Sequence, residues 1–299
     1  MRVPTESYEK IYQDYSKALE WLENIGVQIG SGRTNHYRKI IGYWKDAYKI
    51  ASEEEGDIAF PDFVSSMFEI HSFISVYNAF RDVSETDLSE IAAKLQKGVN
   101  GPINAVDESP KSTTARNFIF EAVVAARAHR PRAGVQAILK AKSDTGIKID
   151  NAKLWIECKR VTTTGKIAAN VRKASSQLEV VIKKQHGSGH RGIVALDVTK
   201  ILNVGDRIYV SKDDSQLMAS TDRLMDRFII EYSHIWQELY KRRDRKVIGT
   251  LINFSFMATS ESRNLLVHTS QWGLNPRNGI SGRDQEILKT LAATLKRTA

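Results

Sequence analysis

The chain has one cysteine, Cys158, in 299 residues. A single thiol excludes an intramolecular disulfide and any cysteine-rich zinc module, and it fits a reducing compartment. No apolar run reaches the roughly 18 residues that a membrane-spanning helix needs. The opening stretch MRVPTESYEK has no apolar core of the signal-peptide kind. The expectation is a cytoplasmic protein with no membrane partner. What is present suffices for a sizeable core: 41% of the residues are hydrophobic and 26% charged, over a length that accommodates two domains.

The net charge of +9 is unevenly spread. Residues 1–110 hold 11 Lys and Arg against 18 Asp and Glu, a net of −7, and the remainder holds 33 against 17, a net of +16. Phosphate neutralisation and counterion release draw a polyanion to the second part, and the first part repels it. Charge alone fits a merely solvated basic surface equally well.

Helical spacing of Tyr8, Ile11, Tyr12, Tyr15, Leu19 and Leu22 predicts a helix over Thr5 to Ile25. Ile40, Ile41, Trp44, Ala47 and Tyr48 predict another over Asn35 to Ala51. Pro61 suits the first turn of a third helix towards Phe80, and Ser84 with Asp87 resembles a capping box opening a fourth through Leu95. Residues 1–110 therefore read as an acidic helical domain, open to a protein partner or a second copy of the chain. Tyr8, Trp21, Tyr37, Trp44 and Tyr48 read as its core rather than as a stacking surface. Gly98 to Ser112 collects Gly, Asn, Asp and Pro and reads as a linker.

Residues 111–299 read differently. Thr113 to Arg130 predicts a helix, and Gly134 to Ala141, Thr145 to Ile149 and Lys153 to Val161 predict three strands. A helix from Lys166 to Lys184 and a buried strand from Arg191 to Thr199 follow. The order α-β-β-β-α-β predicts an α/β (α+β) class with a mixed central sheet flanked by helices. A helix over Gln216 to Tyr240, strands over Val247 to Phe256 and Arg263 to Thr269, and a helix over Asp284 to Arg297 extend it. In this region Arg263, Asn264, Trp272 and Arg277 are polar or aromatic enough to reach a ligand, with no mechanism to attach to them.

The chemistry concentrates in SDTGIKIDNAKLWIECKRV, residues 143–161. Alternation puts Glu157 and Lys159 on one strand face and Leu154, Ile156 and Cys158 on the other, so Cys158 reads as a small core residue. Adjacent strands lie about 4.8 Å apart, which lets Asp144, ahead of the preceding strand, share a divalent cation with Glu157. Magnesium takes hard oxygen ligands at about 2.1 Å and keeps several waters, so two carboxylates and a backbone carbonyl are enough. The Lys159 ammonium can orient a water or stabilise negative charge building on a phosphate.

Asp144 followed by Glu157-Cys158-Lys159, within that element order, resembles the PD-(D/E)XK nuclease superfamily with its restriction-endonuclease-like fold. The resemblance covers residues 113–199. It implies a nuclease dependent on Mg2+ or Mn2+ that hydrolyses phosphodiester bonds of DNA, RNA not being excluded, in restriction or phage defence. Asp144 and Glu157 are then metal ligands and Lys159 the catalytic lysine. Ser143 departs from the motif, standing where proline is expected. Glu121 interrupts the apolar FIFEAVVAA, where an acid is costly unless paired or on a metal, and the resemblance adds it to the metal ligands. Pairing with Arg116 or Arg127 is its plain alternative. The resemblance also offers Gln177, on the second helix, as a residue holding the active site. The rival reading is an inactive nucleic-acid-binding or scaffold protein of the same fold.

Arg160, Lys166, Arg172 and Lys173 around that strand-to-helix connection, with Lys241, Arg242 and Arg243 in KRRDRK, are the candidate nucleic-acid contacts. Other patterns carry less. Gly187, Gly189 and Gly192 match G-x-G-x-x-G, but between a helix and a strand, the reverse of a dinucleotide-binding turn. His186 and His190 flank Gly-Ser-Gly without a third metal ligand and read as loop residues. Asp244-Arg245-Lys246 repeats acid-x-Lys without a strand before it.

Overall fold

The computed structural model describes residues 6–47, 53–104, 108, 114–204, 207–261 and 266–296. In chain order the elements are α1 (Tyr8–Asn24), α2 (Arg33–Ala47), α3 (Glu53–Phe80), α4 (Ser89–Gly98), α5 (Thr114–Ala128), β1 (Val135–Ala137), β2 (Thr145–Ile149), β3 (Ala152–Arg160) and α6 (Ile167–Lys183). Then follow β4 (His190–Asp197), α7 (Thr199–Leu202), β5 (Ile208–Ser211), α8 (Asp214–Lys241), β6 (Val247–Ser260), β7 (Val267–Pro276) and α9 (Gly282–Lys296). The class is mixed α/β, with seven strands among the described residues forming a mixed sheet flanked by helices. Two compact units emerge, each discontinuous in sequence: residues 1–123, 205–214 and 256–269, and residues 124–204, 215–255 and 270–299.

The first unit is mainly helical. Ser7 caps α1 by accepting the Lys10 N–H at 3.2 Å, and Tyr8, Ile11, Tyr15, Leu19 and Leu22 form its buried stripe. The aromatics are core as expected: Phe63 meets Tyr8 and Trp44 at ring-centre distances of 5.2 and 5.0 Å, and Trp21 and Tyr37 are buried. Tyr48 lies outside the described residues. Charge is buried here too, in pairs. Glu69 accepts from Arg116 at 2.6 Å and lies 3.6 Å from Arg33, while Arg116 also holds the carbonyls of Pro102 and Ile103. The expected linker is thus tied down at its start by one arginine. α3 begins well before Pro61, so that proline is interior rather than in the first turn. Ser84 bonds the Asp87 carboxylate at 2.7 Å, but a turn intervenes and α4 starts at Ser89.

The second unit carries the antiparallel run β1-β2-β3, then β4 parallel to β3, and β6 parallel to β4. This is the predicted order of elements. Two residues, Asp150 and Asn151, join β2 to β3, and Asp150 takes the left-handed conformation at φ 50° that Asp and Asn tolerate. α6 packs on β3 and β4 through Ile167, Val171, Ala174, Leu178 and Ile182. Where the sequence suggests a strand from Gly134 to Ala141, β1 stops at Ala137. Ile138 still donates to Gly146 at 2.7 Å, after which the chain leaves the ladder to reach Ser143 and Asp144. β7 runs on to Pro276, past Thr269. Gly273 sits within it because a Cβ there would come 3.0 Å from Met225 and Ile229 of α8.

Candidate active site

The β2-β3 hairpin builds the site. Thr145 stands opposite Ile156, so Asp144, one residue earlier, arrives beside the Glu157–Lys159 end of β3. Two side chains fix it there. Its own Oδ2 accepts the Cys158 backbone N–H at 2.8 Å, and Ser143 Oγ accepts the Ile156 N–H at 3.3 Å while donating to the Thr145 carbonyl. Ser143, the departure from the motif, therefore laces the loop to β3 with a hydroxyl that proline lacks.

Lys159 Nζ lies 3.2 Å from Asp144 Oδ2 and 3.3 Å from Glu157 Oε2. Alternation had placed Glu157 and Lys159 on one face, and this contact is its consequence. The Glu157 side chain is 4% exposed. Burial pushes its carboxyl up to about 7, the Asp144 carboxylate adds to the rise, and Lys159 only partly opposes it. For Lys159 burial works downward, but Asp144 and Glu157 together outweigh it and hold the ammonium above the ordinary lysine range. Two carboxyl groups thus converge at a poorly hydrated point where one ammonium does not fully offset them.

The other candidates lie in varied surroundings. Glu121 belongs to the first unit, is buried, and pairs with Lys94 at 3.0 Å, rather than with Arg116 or Arg127. Gln177, half-buried on α6, has Oε1 sealed from solvent with no hydrogen-bond donor among the described residues. Lys166, Arg172, Lys173 and Arg242 are exposed. Arg160 is held by Asp197 at 3.2 Å, Lys241 by Glu238, and Arg243 by Glu179 at 3.0 Å. Glu179 also accepts the Asp244 N–H, at 2.7 Å. Arg277 donates to the carbonyls of Arg243, Asp244 and Val247, clamping the α8–β6 turn. Trp272 donates to Ser270, and Arg263 and Asn264 lie outside the described residues. Cys158 is buried, as its strand face required.

His190 corrects the loop reading. It lies on β4, stacked on Trp155 at 5.9 Å, accepting the indole N–H at Nδ1 and bonding the His186 carbonyl through Nε2. Gly146 makes room for that indole, since a Cβ there would come 3.0 Å from it. Sequence reasoning also passed over Asp197, which accepts from Arg160 and from the Thr199 N–H and hydroxyl, closing the turn beyond β4. An acid followed two residues later by threonine was its only sequence signal.

Among the described residues no group of three or more His, Cys, Asp or Glu converges as a metal-binding set. The donors on hand are the carboxylates of Asp144 and Glu157. The Glu157 carboxyl, raised first by burial and then by Asp144, fits a hard divalent cation that keeps water ligands. Among the described residues no helix is long and apolar enough to cross a membrane. No family model, curated protein or solved structure matches the chain.

Proposed function

We propose that the chain is a divalent-metal-dependent nuclease of the PD-(D/E)XK kind, built on a restriction-endonuclease-like core in residues 113–199 and acting on DNA in a reducing, cytoplasmic setting. The observation that carries the reading is the Lys159 ammonium within 3.3 Å of both the Asp144 and Glu157 carboxylates, at the end of a strand reached by the α-β-β-β-α-β order. Asp144 and Glu157 would hold magnesium or manganese, which when bound supplies Lewis-acid stabilisation of the phosphate oxygens. Lys159 orients the attacking water or neutralises charge on the phosphate. Glu121 is left out of this set because Lys94 already balances its charge.

The test is cleavage of linear, supercoiled, single-stranded and branched DNA with magnesium or manganese against chelator. Lys159→Ala should lower the cleavage rate by about 10²- to 10³-fold and leave binding intact. If the wild-type protein cuts none of these substrates, the nuclease reading fails for them. A second reading, a nucleic-acid-binding scaffold that no longer cuts, draws on the same contact, since Lys159 already neutralises much of the acidic pair without metal. It predicts salt-sensitive binding that ignores divalent ions.

A further inference from the structure

Arg127, in the last turn of α5, has no counter-charge among the described residues. Its Nε is sealed from solvent with no acceptor, and its guanidinium makes no hydrogen bond or ion pair with any described residue. Burial and then the neighbouring Arg130 make its charge harder to carry, and no carboxylate among the described residues acts against them. Arginines near a helix carboxyl end often serve only to cap its carbonyls. Arg130 does so, donating to the carbonyls of Ala126 and His129 at 3.3 and 2.8 Å. Arg127 does not, so capping leaves it unexplained. A half-buried guanidinium with no partner among the described residues is less favourable than a fully hydrated one, and a second beside it compounds the cost. The missing element is an anion, and the planar fork of arginine matches the oxygens of phosphate.

We infer that Arg127 and Arg130 form a binding site for a phosphate group, and that this phosphate belongs to a polynucleotide backbone. The second half of the inference rests on the nuclease reading. Arg130 exchanges backbone hydrogen bonds with Val135, which stands opposite Ile149 in the β1-β2 ladder. The pair therefore neighbours the end of β2 remote from Asp144. Asp144 and Ile149 are five residues apart along β2, about 17 Å at about 3.4 Å per residue. That span is about five nucleotide steps along one strand of a duplex. A contact there holds the backbone away from the bond being cut and sets its register without touching the chemistry.

The experiment has two arms, both in chelator so that no metal chemistry enters. In the first, thermal unfolding of the full chain is followed in inorganic phosphate and in chloride at equal ionic strength. Phosphate should raise the Tm of the wild type but not of Arg127→Gln, and Arg127→Lys should respond in between. Arg127→Gln should fold at least as well as wild type in chloride, because it loses only an unpartnered charge. In the second arm, binding of a fluorescent DNA duplex is titrated against salt. Arg127→Gln should bind about tenfold more weakly, with a log-log salt slope reduced by about 1. Arg132→Gln removes the same charge from an exposed side chain of the next turn and should do neither. An equal phosphate response in wild type and Arg127→Gln, or an equal loss of DNA binding in Arg127→Gln and Arg132→Gln, overturns the site. An Arg127-dependent phosphate response without any DNA binding keeps the anion site and overturns the polynucleotide as its source. Phosphate dependence together with DNA binding but no cleavage in magnesium supports the site and counts against the nuclease alone.

Discussion

Replacing Glu157 by glutamine removes the charge that the centre carries least well and keeps its shape. In the folded chain the Glu157 carboxyl is pushed up to about 7 from its ordinary 4.5, first by burial and then by Asp144. Between those values the folded chain holds a proton that the unfolded chain has released, so stability falls as pH rises through the window. At 1.36 kcal/mol per unit the full loss is about 3–4 kcal/mol. Lys159 stays charged throughout and adds no slope. Histidines work the other way: burial holds His71 near 4 and keeps His129 and His190 below their usual range, so folding gains from them as pH rises towards about 6.5. The decisive quantity is therefore the difference between wild type and Glu157→Gln, in which the histidines cancel. Urea unfolding in chelator from about pH 5 to pH 8 should show the variant gaining on wild type with rising pH. Adding magnesium or manganese at the upper end should stabilise wild type, as any ligand of the folded state does, and leave the variant unmoved. A difference that is flat with pH, or equal metal stabilisation of both proteins, would refute the reasoning.

Lys159→Ala should lower the cleavage rate by about 10²- to 10³-fold, the usual cost of losing a charge-stabilising donor, with duplex affinity unchanged in chelator. Ser143→Ala should cost about 1 kcal/mol of stability, because the Ile156 N–H loses its side-chain acceptor. It should also slow cleavage about tenfold by loosening Asp144, with Ser143→Thr restoring most of both; unaltered cleavage in the alanine variant would remove Ser143 from the positioning of Asp144. Gly249→Ala should destabilise the second unit by about 1–3 kcal/mol in urea unfolding. The added Cβ would stand 2.9 Å from the Asn275 carbonyl and 3.3 Å from the Pro276 Cα, both backbone atoms with little freedom to move.

The elements most legible in the sequence are those whose signal is local. Apolar residues at helical spacing mark the stripe of α1, and two apolar runs a few residues apart mark the strands β2 and β3, which the structure joins through Asp150 and Asn151. β5 escaped notice because its four residues carry too short a pattern, and only its parallel pairing with residues 257–260 of β6 makes it a strand. β7 was misjudged because Gly273 interrupts its alternation. The reason for that glycine is the approach of Met225 and Ile229, which are distant in the chain.

The candidate site divides along the same line. Glu157 and Lys159 are two residues apart on one strand, and the hairpin brings Asp144 to them, so their convergence is a local property of residues 143–161. A charge has no such address. Arg160, Arg243 and Arg127 look alike in the sequence, yet Asp197 neutralises the first, Glu179 the second, and no described residue the third. Electrostatic partners are chosen by tertiary packing, so counting basic residues locates a basic domain without naming which of its cations are left for a ligand. The unmatched guanidinium is the better guide, because a half-buried charge with no partner among the described residues is costlier to retain than a fully solvated or paired one, which is explained without a ligand.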